Sequence, residues 1–315
     1  KTKQNKTKQN KTKQNKTTQN TKHKTKQNKT QNTKHKTQNT KMKLYINASD
    51  VAACVDMHRF RNKEETVQLY VAKVHKRGRA HKLRHTYDGL CPDDLAALCS
   101  AAHVPFDEHK PYESAECAVR AIVAPAVLAS SSTSANIELN AAHHKVSLAF
   151  KSCVGTTGDS GAKIAARVCQ EETRKHRGTQ WEQKSTDAYE DHTQQRVQKR
   201  NDNKYYLPIS SLCVLVGKID GLAVDKNTGE QILIETKFRS RRLFNQIPLY
   251  EKIQMETYMR MIGCARAQLN QRLDTDLKIL DYERNDALWL NVVNQLCVFT
   301  KEVIRRAEKE IPKTV

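Results

Sequence analysis

Asp220, Glu235 and Lys237 lie within the stretch 217–237 and carry side chains suited to phosphate chemistry. A strand alternates faces, so Glu235 and Lys237, two apart, share one face while Ile232, Ile234, Thr236 and Phe238 share the other. A strand that buries a carboxylate and an ammonium is costly unless those charges act on something. Asp220 precedes Gly221, where the chain can bend. A hairpin through the turn 225–230 would set Asp220 beside Glu235. Two close carboxylates repel each other and form a hard oxygen site for Mg²⁺ or Mn²⁺. A lysine next to such an ion can orient a water or help deprotonate it.

The elements that must position these residues follow from pattern. Strand-like pieces fall at 195–200, 204–207, 212–224 and 231–238. Pro248 opens a helix that Gly263 ends, strands follow at 265–273 and 276–283, and a helix closes the chain at 286–310. Upstream, 163–176 and 179–194 read as two helices, and the second places Glu182, Ser185 and Tyr189 on one face. The segment 44–72 reads as a strand and two helices, with Asn47 or Ser49 capping a helix that begins at Asp50. Segment 86–150 is Ala-rich and helical in pattern, broken by a loop at 130–134. Segment 152–162 is a linker and not a phosphate-binding loop, since Lys163 does not directly follow its last glycine and no Ser or Thr follows that lysine. The predicted fold class is α/β.

Composition bounds the rest. The chain has 315 residues, 37% of them hydrophobic, and a formal net charge of +21. Residues 1–41 contain only Lys, Thr, Gln, Asn and His, with 14 lysines and no acid, so residues 42–315 carry a net charge of only +7. With nothing apolar to bury, the tract is expected to be disordered. Its unit Lys-Thr-Lys-Gln-Asn is what a repeated AAAAC pentanucleotide encodes, and Met42 follows directly. The tract is therefore read as translated simple-repeat DNA, with a basic nucleic-acid-binding arm as the alternative. No apolar run approaches the roughly 18 residues of a membrane span. No apolar leader is visible, so the expected location is intracellular: cytoplasm, nucleus or a viral factory. The nine scattered cysteines form no C-x-x-C and read as reduced, small apolar residues. The spacing of His85, Cys91, Cys99 and His103 matches no usual zinc pairing. Segment 73–85, rich in Lys, Arg and His, reads as a solvated helix end or loop, with contact to phosphates as the alternative.

Asp220 followed by Glu235-Thr236-Lys237 resembles the PD-(D/E)-x-K nuclease superfamily, with Ile219 where its name has proline. RGTQWE at 177–182 resembles the helix motif that supplies an upstream Glu, here Glu182. KIQMETYM at 252–259 resembles the Gln-bearing helix after the catalytic strand, here Gln254, with Glu256 in place of the usual second Gln. YINASDVA at 45–52 resembles the amino-terminal motif of phage-lambda-exonuclease-like and YqaJ-type viral recombinases. The resemblance implies a restriction-endonuclease-like core, a mixed sheet flanked by helices, over 177–315. Residues 42–176 would then form a mainly helical region and 1–41 a disordered tail. It implies Mg²⁺-dependent hydrolysis of DNA, as an exonuclease acting on duplex ends in recombination or repair. The alternatives are a structure-selective endonuclease or a nuclease-like domain that binds without cutting. Asp220, Glu235, the Thr236 carbonyl and Glu182 would hold metal, Lys237 would place the nucleophile, and Gln254 would orient Lys237 or the substrate. Ser49 would meet a terminal phosphate, although Lys41, Met42 and Lys43 stand upstream where its partner Arg is expected. Arg239, Arg241 and Arg242 would face the DNA backbone. A second copy of the chain and a single-strand-annealing recombinase are the further partners the resemblance suggests.

Overall fold

The computed structural model describes residues 42–128, 144, 159–239 and 241–310. Residues 43–315 form one compact unit, and the tract 1–41, the predicted loop at 130–134 and most of the predicted linker lie outside the described residues. In chain order, β1 (Leu44–Asn47) leads through a 3₁₀ turn (Ala48–Asp50) into the short α1 (Val51–Cys54). Helices α2 (Lys63–Val74), α3 (Gly78–Thr86), α4 (Pro92–Ala101), α5 (Pro111–Leu128) and the 35-residue α6 (Asp159–Thr193) follow. Then come β2 (Tyr205–Pro208), β3 (Cys213–Gly217), β4 (Gly221–Val224) and β5 (Gln231–Phe238). Helix α7 (Leu249–Ile262), β6 (Arg266–Leu273), β7 (Asp276–Glu283) and α8 (Asp286–Glu310) complete the chain.

The α/β expectation holds, with two sheets among the described residues. The first has the order β1-β3-β2, β1 running parallel and β2 antiparallel to β3. The second has the order β4-β5-β6-β7, in which β5 and β6 are parallel and the flanking pairs antiparallel. The predicted strand 212–224 is two strands in different sheets, because the chain leaves the first sheet after Gly217 and joins the second at Gly221. The predicted strand 195–200 is reduced to a single bridge, Gln198 to Leu222. Gly221 serves that bridge rather than a bend: a Cβ there would meet Val197 Cγ1 at 2.2 Å. Pro248 is the N-cap of α7, and Gly263 ends it at φ 79°, its N–H donating to the Met259 carbonyl.

Both faces of β5 are covered. Leu233 packs with Met255 and Met259 of α7, while Ile232 and Ile234 pack with Tyr189 of α6. A separate core joins α3, α4, α5 and the first half of α6 through Leu83, Leu95, Leu98, Val119 and Val168. A third joins the first sheet to α1, α2 and α8 through Ile46, Tyr70, Leu215 and Phe299. The two predicted helices 163–176 and 179–194 are one helix, so the expected domain edge at 176/177 falls inside a continuous element. Gly178 costs a helix interior about 1 kcal/mol, and packing on both sides of it outweighs that.

Candidate active site

Strand β5 carries the centre of the site. The pairing Gly221↔Ile234 sets Asp220 opposite the Glu235 end of the strand, and Asp220 Oδ2 accepts from the Thr236 N–H at 2.8 Å. A strand residue's N–H and C=O point to the same edge, so the Thr236 carbonyl also faces the Asp220 side. The Thr236 hydroxyl lies on the opposite face of the sheet, 3.5 Å from both the Thr186 hydroxyl and Asn270 Nδ2.

Glu235 is fully buried. Its Oε1 accepts from Lys237 Nζ and, at 2.9 Å, from Gln254 Nε2, whereas its Oε2 is buried without a partner. Gln254 also stands 3.5 Å from the Tyr258 hydroxyl. It therefore meets the Glu235 carboxylate directly. Burial, then the neighbouring Asp220 charge, pushes Glu235 well above the usual carboxylate range, against the pull of Lys237. Burial raises Asp220 as well. For Lys237 burial acts downward, but the Glu235 and Asp220 carboxylates outweigh it and hold the ammonium above the ordinary lysine value. With one cation for two adjacent acids, the pair is short of positive charge.

Helix α6 brings the third acid. Glu182 accepts from Asn201 Nδ2, and burial followed by the Asp220 charge raises its pKa. Trp181, one residue earlier, stacks on Phe238 at 5.1 Å and 22°, pinning this turn of α6 to the end of β5. Asn201 was not singled out from sequence. Its signal is a positive φ of 49°, a conformation that Asn tolerates and that the polar run 200–203 permits.

The donor set fits a hard divalent cation: the half-buried Asp220 carboxylate, the buried Glu235 carboxylate with an unpartnered oxygen, and a backbone carbonyl on the same edge. Among the described residues no three His, Cys, Asp or Glu converge tightly enough to chelate an ion by themselves. Glu182 thus stands at the margin, and an ion would draw on Asp220, Glu235, the Thr236 carbonyl and water. Among the described residues His85, Cys91, Cys99 and His103 form no metal-holding group; Cys99 is buried and Cys91 exposed.

Two expectations are corrected. Arg239 does not face outward as a free phosphate contact. Its guanidinium forms two 2.7 Å bonds to the buried Glu251 and a third, at 3.0 Å, to Gln271. Arg241 and Arg242 do line a cavity beside the site. Ser49 caps no helix. It sits inside the 3₁₀ turn, and the N-cap Asn47 makes no side-chain cap bond but instead donates to Asp50 Oδ2 at 3.0 Å. The second Gln of the family pattern is a buried structural acid here. Glu256 accepts from the Tyr282 hydroxyl and the Asn285 N–H, tying α7 to β7 and the start of α8.

Ser49 borders a cavity of roughly 790 Å³ whose walls include Arg61, Lys73, Arg79 and Lys82. The arginine sought upstream comes from downstream. Arg61 Nη1 donates to Asp50 Oδ1 at 2.7 Å and lies 3.5 Å from the Ser49 carbonyl. Asp50 also accepts from the Tyr70 hydroxyl at 2.9 Å and stands 3.6 Å from Lys73 Nζ. Burial would raise Asp50, but Arg61 and Lys73 outweigh it and hold the carboxylate below its ordinary value.

Residues 122–264 match the family described as YqaJ-like viral recombinase domain. The match begins upstream of the predicted core and takes in all of α6. Among solved structures the fold is similar to an alkaline exonuclease from Laribacter hongkongensis, at 20% identity over 50% of this chain and 86% of that one, TM-score 0.37. It is also similar to a phage-related exonuclease from Haemophilus somnus, at 12% identity over 68% of this chain and 94% of that one, TM-score 0.35. No curated protein matches the sequence.

Proposed function

We propose, from the match of residues 122–264 to the YqaJ-like viral recombinase domain, that the chain is a metal-dependent DNA nuclease, acting as an exonuclease on duplex ends in recombination or repair. One observation carries this reading: the half-buried Asp220, just before β4, and the buried Glu235 on β5 lie under the influence of a single lysine, and Glu235 Oε2 is left without a partner. A bound Mg²⁺ would supply charge to stabilise the phosphate oxygens and a water acidic enough to attack. Asp220, Glu235 and the Thr236 carbonyl hold that position. Glu182, fixed by Asn201, holds a water or a second position beside it. Lys237, bonded to Glu235, orients the nucleophile or helps deprotonate it. Gln254 holds Glu235 Oε1 in place.

The cavity beside Ser49 is read as the seat of a terminal 5′-phosphate. Cationic side chains and the Ser49 hydroxyl recognise it, because α1 has only four residues and contributes little as a dipole. Arg241 and Arg242 are read as contacts to the DNA backbone.

Residues 42–315 mixed with Mg²⁺ and end-labelled linear or closed circular DNA test the reading. Loss of linear DNA alone is expected. Nicked circles would make the protein an endonuclease, and binding without products would make it a nuclease-like binding domain.

A further inference from the structure

Phe60 is 72% exposed, more than any other large apolar side chain among the described residues. It is not isolated. The His58 and Tyr250 rings lie 4.9 Å apart at 36°, and Phe60 stands edge-on to both, 6.3 Å from His58 and 6.2 Å from Tyr250. Arg59 lies over the Phe60 ring at 5.4 Å, and Arg242 lies over Phe244 at 5.6 Å. These groups border one open cavity of roughly 1080 Å³ in which, among the described lining residues, Asp56 is the one acid against four arginines.

A single exposed phenylalanine needs no explanation. Three clustered rings interleaved with guanidinium groups are different. A π-face accepts any nucleobase, and the neighbouring cations accept the phosphates that join the bases. The location is specific as well. Tyr250 is four residues before Gln254 on α7, one helical turn or about 6 Å along the axis, and Gln254 bonds to Glu235. Phe238, on the same wall, directly follows Lys237.

We infer that this wall is a stacking platform for unpaired bases of the DNA strand that enters or leaves the Asp220–Glu235 site. The inference rests on the nuclease reading for the identity of that strand. The rings take the bases, and Arg59, Arg241 and Arg242 take the backbone. The platform gives the enzyme a grip on single-stranded DNA that a duplex, with its bases already stacked, cannot use.

The test uses the full chain in EDTA at 0.15 M salt, with a single-stranded oligonucleotide carrying 2-aminopurine, whose fluorescence falls on stacking. Wild type is expected to bind and quench it. Phe60→Ala and Tyr250→Leu should each weaken binding about 5- to 150-fold, the span of one lost base–aromatic stack, and reduce the quench. Phe60→Trp should restore both, and affinity for blunt duplex should change less than threefold. Because Phe60 is exposed, its replacement leaves the fold intact. Unchanged single-strand affinity and quench in both loss variants would overturn the platform, and would leave the wall as a surface for a protein partner. Wild-type cleavage in Mg²⁺ keeps the two ideas apart. Cutting with unaltered single-strand binding in the variants removes the platform alone. Altered binding without any cutting removes the nuclease reading and leaves a single-strand binding site.

Discussion

Asp50 and Glu235 are both buried carboxylates beside a cation, yet their surroundings are opposite. Asp50 receives Arg61, Tyr70 and Asn47 directly and has Lys73 within 3.6 Å, so both of its oxygens are served. Glu235 shares Lys237 with Asp220 and keeps one oxygen without a donor. The first is over-supplied with positive charge and the second under-supplied. One environment moves its carboxyl below the ordinary range and the other moves it above. A completed network reads as a structural support, and an incomplete one as a place for a ligand to finish.

The largest expected effect lies on the incomplete side. Asp220→Asn should abolish cleavage while leaving circular dichroism unchanged, because an amide is a poor partner for a hard cation. Lys237→Ala should keep metal binding, followed by titration calorimetry, and lose about 10²- to 10⁴-fold in rate. A folded variant of either kind that cuts at the wild-type rate would erase the distinction between the two sites.

On the completed side, Asp50→Ala should destabilise the protein by about 1–3 kcal/mol in urea unfolding. The figure is held down because Arg61 is 41% exposed and partly screened. The metal concentration giving half-maximal cleavage should not move. A shift in that metal dependence would show the two regions to be one site.

Removal of divalent ions sharpens the contrast through pH. Glu235 is raised in the folded state, so the stability it lends in EDTA is fully present below the ordinary glutamate pKa and is lost as pH rises toward about 8. Asp50 is lowered, so its stability is present above the ordinary aspartate value and is lost as pH falls through the depressed value. Glu235→Gln should therefore stabilise the metal-free protein by about 1–3 kcal/mol at pH 8, and Asp50→Asn should destabilise it there and matter less in acid. Urea midpoints at pH 4 and pH 8 measure both, and trends of the same sign would refute the pairing.

The smallest effect expected is at Ser49. Ser49→Ala should narrow the preference for 5′-phosphorylated over 5′-hydroxyl duplex ends by about 2- to 10-fold. Equal wild-type rates on the two ends would remove the phosphate role from this cavity.

The β5 motif was legible because its residues are consecutive and a strand's alternation is strict, so the shared face of Glu235 and Lys237 followed from spacing alone. The turn at 225–230 was equally local: Asp225 Oδ1 accepts from the N–H groups of Asn227 and Thr228, and Gly229 takes φ 72°. What escaped depends on partners distant in sequence. Nothing near Arg239 announces that Glu251 will bury its charge. The Lys218–Asp220 segment does not declare that the chain changes sheets there. Gly178 reads as a helix end until packing on either side carries the helix through. Nothing in the spacing of Ser49 and Arg61 announces that the chain doubles back through α1 and brings the guanidinium to the Ser49 carbonyl.

The continuity of α6 has a mechanical consequence. Val168 is embedded in the helical core and Glu182 stands at the acidic pair, fourteen residues or about 21 Å apart on an uninterrupted rod. A rod without a hinge transmits rotation instead of absorbing it. A tilt of about 5° at Val168 would displace Glu182 by about 2 Å, as long as a Mg²⁺–oxygen bond. The placement of Glu182 beside the acidic pair is thus set partly by the seating of the helical lobe, and a change in the packing around Val168 reaches the site as a misalignment.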